Sequence, residues 1–250
     1  VDQLKVPAAN IVIYDANTTA SGIYTSYASL TDSTKIRAVV SVRAGSLNSY
    51  KAVTIPGSSG AITCVADLVD GVIDILVNIA VCKVHDGPGG GYGYGSCSFC
   101  MKNHLGTFIN ADATGGNIGN ATRLHSIPAI CDINKHAAVL GGTPVRQQLC
   151  IVDSLLANGR TPSGSWDTRV DRLVMGTCAP IVDYLCAMRI LKDVMNFTDR
   201  NNNLPKFLTN FDYTEADVQT TWVEYVPGTG IVNPPSREYS GRVVQLALSN

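Results

Sequence analysis

Residues 82–104 read CKVHDGPGGGYGYGSCSFCMKNH, which puts three thiols and two imidazoles on either side of a glycine–tyrosine loop. Cys82 and His85 are separated by two residues, as are Cys97 and Cys100, and eleven residues lie between the pairs. Thiolate and neutral imidazole are the usual ligands of tetrahedral zinc, and pairs spaced this way converge when the loop between them lets the chain fold back. The candidate ligand set is therefore Cys82, His85, Cys97 and Cys100, with His104 as a substitute, and the cofactor it implies is a structural zinc. Two outcomes compete with it: a disulfide within the loop, and thiols that only pack. The run before Cys82 reads as a strand, where residues three apart face opposite sides, so Cys82 and His85 meet only if a turn begins at residue 83. A catalytic metal would need an open position beside a base, and the nearest acid, Asp86, is an ordinary turn residue.

Elsewhere the instruments of catalysis are few. GPGGGYGYG lacks the Lys-Ser/Thr and the helix start of a phosphate loop. VLGGTP could offer backbone N–H groups to an anion, but a helix stop followed by a proline start explains it equally well. Cys131 and His136 stand five residues apart near a helix start, where a buried Cys and an exposed His are the plainer reading. No GxSxG occurs, and Asp153, Asp171, Asp183 and Asp193 are scattered singly, as on solvated helix faces. No catalytic residue is assigned.

These residues must be positioned by a chain of 250 residues, long enough to bury a core without covalent staples. Hydrophobic residues make up 45% and charged residues only 16%, against about 25% charged in an average soluble domain. The net charge of −1 leaves weak self-repulsion, which eases association, and it lacks the basic excess that nucleic-acid binding uses. No apolar run reaches the length of a membrane-spanning helix, and the first residues show no signal-peptide pattern. Of eight cysteines, five sit in apolar runs (ITCVA, IAVCKV, QLCIV, GTCAP, YLCAM) and are expected to be reduced core residues. Three sequons, at Asn17, Asn120 and Asn196, are as many as an Asn- and Thr-rich chain produces by chance.

The fold class expected is α+β, as one domain over 1–250: β-rich over 1–85, irregular Gly/Asn-rich loops over 86–131, helical over 132–225, and a closing strand at 241–249. ANIVIYDA (9–16) and STKIRAVVSVRAG (33–45) alternate as strands. YKAVTIPG and GAITCVADL form a hairpin around the turn at 56–60. GVIDILVNIAVCKV (71–84), in which Val72, Asp74, Leu76 and Asn78 alternate with Ile73, Ile75, Val77 and Ile79, predicts a long, mostly buried strand. DINKHAAVLGG (132–142) predicts a helix capped by Asp132 and stopped by Gly141 and Gly142. Pro144 opens a predicted helix with Val145, Leu149, Val152 and Leu156 on one stripe, and WDTRVDRLVMGT is read as another helix. Pro180 starts a helix to residue 197, lined by Ile181, Leu185, Met188, Leu191 and Met195. TEADVQTTWVEYV predicts a helix capped by Thr214. The closing strand can pair within its own sheet or cross to a neighbour's open edge, and its second face is nearly uncharged, which suits burial against another subunit.

Low charge, open strand edges and long neutral loops together predict a self-assembling structural subunit, partnered by copies of itself, in the manner of viral coat, phage tail-tube or extracellular filament proteins. Its place would then be a virion or an extracellular assembly. An enzyme with dispersed active-site residues, and a secreted binding module with a structural zinc, are the alternatives.

Overall fold

The computed structural model describes residues 6, 10–15, 36–40, 50–55, 62–84, 97–104, 107–110, 127–158, 168–196, 204–226, 230–232 and 243–247. His85, the glycine–tyrosine loop, residues 111–126 and the turn at 56–60 lie outside the described residues.

Both helices and strands are present, interleaved along the chain. β1 (Ile11–Asp15) and β2 (Ile36–Val40) pair in parallel as a two-stranded sheet. β3 (Tyr50–Val53) and β4 (Ile62–Val65) form the expected antiparallel hairpin, with Tyr50 opposite Val65 and Val53 opposite Ile62. The short helix α1 (Ala66–Val69) follows, then β5 (Leu76–Val84), β6 (Cys97–Ser98), helix α2 (Cys100–Asn103) and β7 (Phe108–Asn110), which pairs with β4. Helices α3 (Ile127–Lys135) and α4 (Ala137–Leu140) lead to β8 (Gln147–Asn158) and β9 (Thr168–Gly176). Helix α5 (Ala179–Cys186) runs on as a π-helix over Ala187–Lys192. Then come α6 (Leu204–Thr209), α7 (Glu215–Thr221), β10 (Trp222–Val226), β11 (Gly230–Val232) and β12 (Val243–Ala247).

A seven-stranded mixed sheet in the order β11-β10-β12-β9-β8-β5-β6 is the frame. β5 runs parallel to β8 and β10 parallel to β12, while the other neighbours are antiparallel. Within this sheet β12 lies between β9, to which it is antiparallel, and β10, to which it is parallel.

The expectation of an unbroken helical region over 132–225 is corrected at three places. Residues 147–158 and 168–176 are strands, and so is 222–226. QQLCIVDSLLAN fits both a helical stripe and a two-residue alternation, and a short apolar run cannot decide between them by period alone. Pairing decides: β8 has β5 on one side and β9 on the other, and Cys150, Val152 and Ser154 turn inward on one face. Val145 and Leu156, two members of the supposed helical stripe, are exposed. In β9, Asp171 takes a left-handed φ of 52° near the register shift opposite Ser154–Leu156, a conformation aspartate tolerates better than most residues.

Several local signals act as expected. Pro180 sits in the first turn of α5. Thr214 and Asp217 form a reciprocal cap of α7: the Thr214 N–H donates to Asp217 Oδ2 at 2.7 Å and the Asp217 N–H donates to Thr214 Oγ1 at 3.3 Å. These bonds hold the Asp217 carboxyl below its ordinary pKa. Gly141 ends α4, where a Cβ would collide with the Ala137 carbonyl, and Gly142 follows at φ 104°. Asp132, however, lies inside α3 rather than capping it, and the cap of α4 is His136, whose Nδ1 accepts from the Ala138 N–H at 3.0 Å.

The helices cover one face of the sheet. Leu76, Asn78, Ala80, Cys82 and Val84 of β5 point into that layer, with Cys150 and Val152 of β8 and Val174 of β9. Every residue of α5 is buried. Full burial of an apolar side chain such as Ile190 or Leu191 stabilises by about 1.5–3 kcal/mol. Among the described residues no helix is long and apolar enough to cross a membrane.

Candidate functional site

Cys82 lies on the helix-covered face of β5, Cys97 on β6 and Cys100 at the first residue of α2, and all three are buried. His85 lies outside the described residues. Burial pushes the Cys82 thiol up to about 12 and the Cys100 and Cys186 thiols well above their usual value. Thiols in such surroundings are poor nucleophiles. His104, the substitute ligand, is also buried, and both its ring nitrogens are engaged. Nε2 lies 2.7 Å from Gln147 Oε1 and Nδ1 lies 3.2 Å from Thr107 Oγ1. Asn78 Nδ2 donates to Cys100 O at 2.8 Å and to Gln147 Oε1 at 3.0 Å, which uses both of its hydrogens. The network thus assigns the Nε2–H tautomer of His104, donating to Gln147 and accepting from Thr107. Burial lowers its pKa, against a smaller opposing effect of Gln147. Among the described residues no three His, Cys, Asp or Glu side chains converge in a way that could hold a metal.

What organises this region is Asp183, on the fully buried helix α5. Its Oδ1 accepts from the Cys100 N–H at 3.0 Å and its Oδ2 from the Met101 N–H at 2.8 Å. A carboxylate from one helix thereby caps the N-terminus of another, where orphan N–H groups and the helix dipole favour negative charge. Asp183 was expected on a solvated helix face; it is a structural carboxylate in the core instead. Cys131 and His136 do not form a reactive pair either. The Cys131 thiol is pushed up to about 12 by burial, and His136 packs edge-on against Phe108 with its Nδ1 occupied by the α4 cap.

The distinctive surface lies on the other side of the sheet. Val77, Ile79 and Val81 of β5 are 46%, 62% and 39% exposed. The expectation that this strand is mostly buried is corrected to half-buried: one alternating set enters the core and the other stays open. Ile79 is in register with Ile151, Ile151 with Met175, Met175 with Val244 and Val244 with Val223, an apolar row over five strands. The adjacent row runs Val81, Asp153, Leu173, Leu246, Tyr225, with one charge among its members. The sequence signal for this face is the wholly apolar set Ile73, Ile75, Val77 and Ile79, whereas the set that enters the core includes Asn78.

The sheet edges are less inviting. β6 covers only Lys83 and Val84 of β5, and β11 is three residues long. Beside β6, Asn103 Nδ2 donates to the Ile79 carbonyl at 2.9 Å, as a neighbouring strand would. Comparison with known proteins found no matching family model, no matching curated protein and no matching solved structure.

Proposed function

We propose that this protein is a self-assembling structural subunit, of the kind found in viral coats, phage tail tubes and extracellular filaments, with copies of itself as partners and a virion or extracellular assembly as its place of action. The observation that carries this reading is the open face of β5, β8 and β9, where Val77, Ile79 and Val81 are exposed beside Ile151 and Met175 in register. A β-sheet with helices on one side only normally turns polar residues to water on the other. Here Val77, Ile79 and Val81 stand in those positions. The low charge content of 16% and the net charge of −1 support the same reading, since like subunits then repel one another little. The test is the mass in solution. Purified protein at micromolar concentration is expected to scatter light as multiples of 26.5 kDa and to form regular particles under the electron microscope. A homogeneous monomer would overturn the proposal.

A further inference from the structure

The apolar row on the open sheet face has a size and a chemistry that select its occupant. Ile75, Val77, Ile79, Val81 and Leu155 are exposed, and Leu149, Ile151, Leu173 and Met175 beside them are half-buried. Over β5, β8 and β9 these side chains offer on the order of 500 Å² of apolar surface, the size at which a patch on a monomer is functional. A standard interface takes about 800 Å² from each partner. The described part of the face supplies more than half of that, and the register partners next in line, Val244 of β12 and Val223 of β10, are apolar residues in the sequence.

Sheet extension is the other way two such subunits could join, and it is obstructed. The edge strand β6 pairs through two residues and β11 through three. In the stretch of β5 that β6 leaves uncovered, the Ile79 carbonyl is already bonded by Asn103. Such short and occupied edges are how sheets avoid strand addition. On the face, Ile75, Val77 and Ile79 are exposed in succession before the first charge of that set, Lys83, is reached.

We infer that two copies of this chain pack face to face through the Ile79–Ile151–Met175 side of the seven-stranded sheet, as the two layers of a β-sandwich do. The inference rests on the self-assembly reading and names its contact. Sheets packed in this way sit about 10 Å apart with interleaved aliphatic side chains and need no matching of charge sign. A second copy meets that condition, because the same uncharged row faces itself across a two-fold axis. Asp153, the one charge in the two rows, pairs with Val81 rather than with Ile79 and so stands beside the main row.

Sedimentation velocity of the full chain, the Ile79→Asp variant, the milder Ile79→Thr variant and a Val194→Asp control tests the inference, with far-UV circular dichroism as the check on folding. Val194 is an exposed aliphatic residue just beyond the π-helix, on the helix side of the sheet. Ile79→Asp is expected to weaken association at least about a hundredfold, since it places an unpaired charge in an apolar contact. Ile79→Thr should weaken it by roughly tenfold with the β-branch retained. Val194→Asp should associate as the unaltered chain does. If the unaltered chain assembles and both Ile79 variants assemble equally well, the face-to-face contact is wrong and self-assembly stands. Equal loss in the Val194 control would also overturn the assigned contact. If the unaltered chain stays monomeric, both the contact and the self-assembly reading fall.

Discussion

Asn103 Nδ2 donates to the backbone carbonyl of Ile79 at 2.9 Å, while the Ile79 side chain, 62% exposed, stands on the open face of the same strand. One residue thus marks both the guarded direction of the sheet and the unguarded one. Asn103 also donates to Asn78 Oδ1 at 3.0 Å, which ties the guard to the buried amide network below. Asn103→Ala removes both donors. It is expected to lower stability by about 1–2 kcal/mol, seen as a lower urea midpoint with unchanged slope. An unchanged midpoint would show that water replaces this side chain without loss.

Asp183→Ala leaves the N–H groups of Cys100 and Met101 without their carboxylate partner in the core. Leaving buried donors unpaired and removing a helix cap together should cost about 3–5 kcal/mol. Asp183→Asn keeps an acceptor oxygen and should cost less. Equal losses for the two variants, measured by thermal or urea unfolding, would contradict the capping role.

Acid should destabilise the fold through His104. Its unfolded form titrates near 6.5, and burial lowers the folded value. Between the two, the unfolded chain binds a proton that the folded chain does not, so stability is full above 6.5 and falls as the pH drops below it. His136 is also lowered by burial and acts in the same direction, since its Nδ1 must stay unprotonated to cap α4. The His104→Gln variant should be less stable near neutrality and show a shallower acid loss. A stability curve that stays flat as the pH passes below 6.5 would contradict the buried, neutral state of the His104 ring.

All eight cysteines are thiols, and Cys178 alone is half-buried while the rest are buried. Burial pushes Cys64, Cys82 and Cys131 up to about 12. Brief alkylation of the native protein, read by mass spectrometry, should label Cys178 first. Labelling of Cys82 at the same rate would mean that the core thiols are open to solvent.

What could be read from the sequence was mostly local. The Thr214 cap, Pro180 in the first turn, the Gly141–Gly142 stop and the β3–β4 hairpin each follow from two or three residues whose backbone preferences leave little choice. Residues 147–158 were illegible because helix and strand periods both fit, and the neighbours that decide between them lie far away in the chain: β5 begins at Leu76. Asp183 was misjudged for a similar reason, as its partners stand more than eighty residues upstream. Cys82, Cys97 and Cys100 drew attention through their metal-like spacing, but spacing could not reveal that they are buried or that the Cys100 N–H is held by the Asp183 carboxylate. For β5, alternation marked a strand, but only its packing shows that the set with Asn78 is covered and the set with Ile79 is open.

The central claim is that this open face is covered by another copy of the chain, and hydroxyl-radical footprinting across a series of protein concentrations tests it most directly. At dilutions where the protein is dispersed, Ile79, Val81 and Met175 should be modified readily. As assembly sets in, their modification should fall together, while the exposed controls Val69 and Val194, which lie outside β5, β8 and β9, keep their rates. Equal modification of Ile79 and Met175 at every concentration, in a preparation that demonstrably assembles, would contradict the account.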